Sequence, residues 1–117
     1  MNTLADILVA LVALSHIGFL VLEMFFWDHQ VGRRIFAMTA EQSAFSRTLA
    51  ANQGLYNGFL AGGLLWGLWE DRLDVKLFFL GCVILAGLYG GLTAKRTILY
   101  TQAAPAVLAL LAVLAAR

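Results

Sequence analysis

Four stretches of the chain, residues 5–27, 49–69, 75–94 and 97–116, are each long and apolar enough to cross the roughly 30 Å hydrocarbon core of a bilayer as helices. Backbone groups left unpaired in hydrocarbon are costly, so a spanning segment must be a helix or belong to a closed barrel, and strands of this number and length could not close one. The expected fold is therefore all-α: an integral membrane four-helix bundle with up-down-up-down connections, forming a single domain over residues 1–117. Composition supports this, because 62% of the 117 residues are hydrophobic and 13% charged, too few polar groups to coat a soluble domain of this size.

The eight Lys and Arg residues set the orientation. Arg33, Arg34 and Arg47 lie in the 28–48 connection and Lys95 and Arg96 in the third connection, while Arg72, Lys76 and Arg117 lie on the opposite side. Five against three places both termini outside by the positive-inside rule. Trp27 at one level and Trp66 with Trp69 at the other fit interfacial aromatic belts. The net charge of +1 and the scattered cations exclude a nucleic-acid surface. Cys82 is the single cysteine, sits in an apolar run and reads as a small buried hydrophobe. No cleavage site follows the first apolar stretch, which is expected to stay in the mature protein.

The 28–48 connection is the only long one. Thr39-Ala-Glu-Gln42 reads as a capping box, so the second long helix is expected to begin near Ala40, in water, before it enters the bilayer. Ile35, Phe36 and Met38 beside Arg33 and Arg34 suggest a short segment lying on the cytoplasmic surface.

Polar residues inside the apolar stretches carry the functional signal. His16 and Glu23 are nearly two helical turns apart on one face of the first helix, and an ionisable group at membrane depth faces the bundle and marks function. Asn52, Gln53, Tyr56 and Asn57 form one stripe on the second helix, with Asn52 and Gln53 expected at the level of Glu23 and Asn57 nearer His16. Away from that stripe, Gly54, Gly58 and Gly62 repeat every fourth residue as a close-packing ridge, and Gly87 and Gly91 give the third helix another. Tyr89 and Gln102 add polar groups at the same depth. Pro105 cannot donate to the carbonyl of Thr101 and is expected to kink the last helix beside Gln102. The outer halves of all four stretches are apolar, which implies a polar cavity open toward the cytoplasm. The plainer account is that these amides and hydroxyls are interhelical glue, worth under about 2 kcal/mol each.

His16, Glu23, Asp28 and His29 match no established ligand spacing, so no metal or other cofactor is assigned. The chain resembles the domain-of-unknown-function 1304 family of small bacterial membrane proteins. The resemblance is carried by Ser15-His-Ile-Gly-Phe-Leu-Val-Leu-Glu-Met-Phe-Phe-Trp27, Asn52-Gln-Gly-Leu-Tyr-Asn-Gly-Phe-Leu-Ala61, Gly87-Leu-Tyr-Gly90 and Gln102-Ala-Ala-Pro-Ala106. It implies a multi-pass protein of the bacterial inner membrane and supplies no activity.

These readings lead to a pocket in the cytoplasmic half that binds a small polar or amphiphilic molecule. Glu23 and His16 are its candidate acid–base pair, Asn52, Gln53, Asn57 and Gln102 orient the ligand, and Tyr56 or Tyr89 supply hydroxyls. The alternatives are proton-coupled transport of a small molecule by an antiparallel dimer and a structural subunit of a larger membrane complex. The glycine-rich faces are the candidate surface for a homodimer.

Overall fold

In the computed structural model, which describes residues 2–117, every regular element among those residues is helical. The order is α1 (Thr3–Phe25), α2 (Gln30–Ile35), α3 (Ala40–Trp69), α4 (Leu73–Thr93), a π-helical turn (Leu99–Ala103) and α5 (Ala104–Ala116). Three helical stretches, Thr3–Phe25, Leu73–Thr93 and Leu99–Ala116, are long and apolar enough to cross a membrane. The remaining long helix, α3, spans 30 residues, about 45 Å at 1.5 Å per residue. Asn52, Gln53 and Asn57 at its centre keep it below the hydropathy of the other three.

Local chemistry explains where the helices start and stop. The Asn2 side chain accepts from Ala5 N at 3.0 Å and caps α1. Thr39 and Gln42 form the expected reciprocal box, Thr39 N to Gln42 Oε1 at 2.9 Å and Gln42 N to Thr39 Oγ1 at 3.1 Å, and α3 begins at Ala40. His29 Nδ1 accepts from Val31 N at 3.1 Å at the start of α2. Two helices end in residues with left-handed backbone, Ala37 (φ 54°) after α2 and Asp71 (φ 49°) after α3. Met38 N bonds Arg33 O and Arg72 N bonds Gly67 O, both at 2.9 Å, closing the wide turn that normally places glycine at this position.

The chain forms two compact units. The first takes in the chain up to Leu14 together with Leu60–Arg117. Its core is built from Val9, Ala13, Leu64, Leu80, Val83, Ala106 and Ala109, all fully buried. Most are Ala or Val, and short side chains let helix backbones approach closely, the packing that association within lipid relies on. Large residues point the other way: Leu4, Leu11, Leu85, Leu108 and Leu111 are all more than half exposed, which suits hydrocarbon and not water.

Within this unit α4 packs on the π-turn and on α5. A Cβ on Gly87 would lie 2.7 Å from Ala103 N, and one on Gly91 would lie 2.3 Å from Leu99 Cγ. The glycine face of α4 is therefore filled by the chain's own π-turn. Pro105 does not simply kink the last helix. The backbone widens into the π-turn just before it, with Ala104 N bonded to Leu99 O, and Pro105 sits in the first turn of α5.

Unit one also holds a charge cluster. Lys76, counted in the sequence with Arg72 and Arg117 among the cations opposite the 28–48 connection, lies inside α4 and is 6% exposed. Its ammonium donates to Asp71 at 2.9 Å and to Asp6 at 3.4 Å, while its stem runs against Gly67, where a Cβ would be 2.9 Å from Lys76 Cγ. This buried ion-paired lysine directly precedes the apolar run 77–86 of α4. Cys82 is half-buried in α4.

Candidate functional site

The second unit, Ser15–Phe59, comprises the end of α1, α2 and the first two-thirds of α3. Its helices touch through glycine. A Cβ on Gly54 would come within 2.7 Å of Met24 Cγ and 3.1 Å of Glu23 Cβ, and one on Gly58 within 2.6 Å of Leu20. The ridge thus faces the helix that carries Glu23, the same side as the polar residues and not the opposite side. A spacing of four holds Gly54 and Gly58 on one face while Asn57 is only three residues from Gly54, close enough in angle to share it. Gly62 has nothing within 4 Å of its Cβ position.

That close approach brings Asn57 to Glu23. Asn57 is 5% exposed and its Nδ2 donates to Glu23 Oε1. The expected register set Asn52 and Gln53 near the level of Glu23 and Asn57 nearer His16; here Asn52 and Gln53 line a cleft with Glu23, and Asn57 supplies the bond to it. Among the described residues the ion pairs join Arg33 to Asp28, Arg72 to Asp74, and Lys76 to Asp6 and Asp71, so the half-buried Glu23 carboxylate is held by an amide and not by a cation.

Glu23 also lines an open cleft of about 340 Å³ with Trp27, Ser46, Leu49, Ala50, Asn52 and Gln53. This lies near the lower end of small-molecule sites, roughly 300–1,000 Å³. Asn52 and Gln53 are exposed on its rim. One wall is fixed: Trp27 Nε1 donates to Ser46 Oγ at 2.9 Å, Ser46 Oγ donates to Gln42 O at 2.7 Å, and the Trp27 ring leans on Phe36 with centroids 4.8 Å apart. Beyond Trp27 a second cleft of about 380 Å³ is lined by Met24, Phe25, Asp28, Arg47, Thr48 and Ala51. Asp28 accepts from Ser43 at 2.9 Å and from Arg33 at 3.0 Å, which ties the end of α1, α2 and the start of α3 into one frame around both clefts.

The other sequence-derived candidates fall elsewhere. His16 is 1% exposed, with its ring edge-on to Phe19 at 5.2 Å, and is not among the residues lining the Glu23 cleft. Tyr56 is 54% exposed and stands edge-on to Phe59. Tyr89 and Gln102 belong to the first unit, Tyr89 exposed on α4 and Gln102 half-buried in the π-turn. Of the eight candidates, four lie together around one carboxylate: Glu23, Asn52, Gln53 and Asn57. Sequence reasoning passed over Ser46. Its signal was the Ser43/Ser46 pair three residues apart, which a helix begun by the Thr39 capping box sets on one face.

A family described as Protein of unknown function (DUF1304) matches residues 10–114. The chain is 36% identical over 115 residues to "Uncharacterized protein YpaA" of Lactococcus lactis subsp. lactis (strain IL1403), which covers 95% of this chain and 97% of that protein. No solved structure matches it. The matched region takes in both units and every residue of the Glu23 cleft, and the chain belongs to the DUF1304 family.

Proposed function

We propose that this is a multi-pass protein of the bacterial inner, or plasma, membrane, with both termini outside, that binds a small amphiphilic molecule in the cleft beside Glu23. The observation that carries the reading is a half-buried carboxylate held by a buried amide on one side and open to a cleft with two free amides on the other. Burying polar groups is costly unless they are satisfied, and glue alone does not require an opening onto exposed Asn52 and Gln53. Leu49, 72% exposed on the same wall, and Phe45, 91% exposed one turn away, offer an apolar track for a chain-like tail. Binding is favoured over acid–base catalysis because His16, the partner such chemistry would use, lies off the cleft lining.

Native mass spectrometry of the protein released from bacterial membranes in polymer discs tests this. A co-purified small molecule is expected on the wild type and absent from the Asn52→Ala/Gln53→Ala double variant, whose changes are at exposed positions. The same occupancy in both proteins would exclude this cleft as the binding site.

A further inference from the structure

The polar groups of the Glu23 cleft differ in what they have left to offer. Ser46 is used in both directions, accepting from Trp27 and donating to Gln42. Trp27 has spent its N–H on Ser46. The Glu23 carboxylate receives one hydrogen bond, from Asn57, whereas a carboxylate can accept about four. The cleft lining contains no Lys, Arg or His. Of the three arginines of this unit, Arg33 is paired with Asp28, Arg47 lines the cleft beyond Trp27, and the exposed Arg34 is not among the residues lining this one.

The cleft is therefore rich in accepting capacity and contains one acidic side chain with no cation among its lining residues, while its fixed wall is an indole, a ring type that attracts cations over its face. Resting on the reading that this cleft binds an amphiphile, we propose that the ligand's head is cationic, an alkylammonium or amine-bearing group seated on Glu23, with its tail along Leu49 and Phe45. An anionic head would meet the carboxylate with no cation in the lining to offset it. A neutral head could donate hydrogen bonds to Glu23 and to the rim amides, but would leave the carboxylate without a counter-charge.

The test uses the full chain in phosphatidylcholine nanodiscs and three labelled probes sharing a twelve-carbon tail: dodecyltrimethylammonium, dodecyl maltoside and dodecyl sulfate. Empty discs are subtracted to isolate saturable binding. Dodecyltrimethylammonium is expected to bind best and to weaken roughly tenfold or more in Glu23→Gln, a change that keeps an acceptor for Asn57 and removes the charge. Gln53→Lys, at an exposed position, places a cation on the rim without touching the Glu23–Asn57 bond and is expected to weaken the same probe comparably. Preference for the maltoside or the sulfate, or ammonium binding that survives both substitutions, would overturn the cationic head; if the preferred probe is also lost in Asn52→Ala/Gln53→Ala, the cleft itself stands. Saturable binding by none of the three would overturn both readings.

Discussion

The Lys76 ammonium donates to the Asp71 carboxylate at 2.9 Å, and Asp71 adopts left-handed backbone, φ 49°, at the position where a helix end normally carries glycine. Asp71 thus holds an unfavourable backbone conformation while it and Asp6 match a lysine that is otherwise enclosed by α3 and α4. Lys76→Met, which keeps the stem against Gly67 and removes the charge, is expected to lower stability by about 1–3 kcal/mol. This is less than the 3–5 kcal/mol typical of a broken buried pair, because both carboxylates remain in reach of water. Thermal unfolding in detergent checks it, and adding Asp71→Asn to Lys76→Met should cost less than the sum of the two single changes.

The same pair makes the first unit sensitive to acid. The hydrogen bond from Lys76, and then its charge, hold the Asp71 carboxyl below its ordinary value. The unfolded chain therefore takes up this proton more readily than the folded one, so the contribution is complete above the ordinary carboxylate pKa of about 3.9 and is lost as pH falls through the lower folded value. Melting temperature measured from pH 6 down to pH 2.5 should fall less steeply in Asp71→Asn than in the wild type; equal slopes would assign the acid sensitivity to other carboxylates.

Ala37 ends α2 with φ 54° and has no side-chain role at that position comparable to that of Asp71. Left-handed backbone costs a residue with a Cβ roughly 1–2 kcal/mol, part of which glycine returns as unfolded-state entropy. Ala37→Gly is expected to stabilise the second unit by about 0.5–1 kcal/mol, read as slower hydrogen exchange at Met38, whose amide closes the turn onto Arg33. Asp71→Gly should give no such gain, since it also removes the partner of Lys76.

Glycines of α4 should divide by what faces them. At Gly87 an added methyl meets backbone and side chain of Ala103 at 2.7–3.1 Å, whereas at Gly81 nothing lies within 4 Å. Gly87→Ala is expected to destabilise by about 1–3 kcal/mol, because the π-turn would have to move. Gly81→Ala is expected to stabilise by up to about 1 kcal/mol through helix propensity. Paired thermal melts decide this, and equal effects would mean that the π-turn yields freely.

Read alone, the sequence determined the helical class, the helix start at Ala40 and the chemical types gathered near Glu23. These are properties of local runs: hydrocarbon-length apolar stretches, a Thr–Gln box whose partners are three residues apart, and polar residues at helical spacing. Four things needed the tertiary structure. Register decided that Asn57 holds Glu23, because rotating or sliding one helix by a single turn exchanges partners without changing either helix's own pattern. Packing decided that the Gly54–Gly58 ridge faces α1, since a row of small residues marks a close approach without naming what approaches. Burial decided that Lys76 is an enclosed ion-pair centre, because its carboxylate partners come from five and seventy residues away. The answer to Pro105 was a π-turn: its missing donor requires some adjustment nearby, and the contact of Gly87 and Gly91 with Leu99 and Ala103 selects which one.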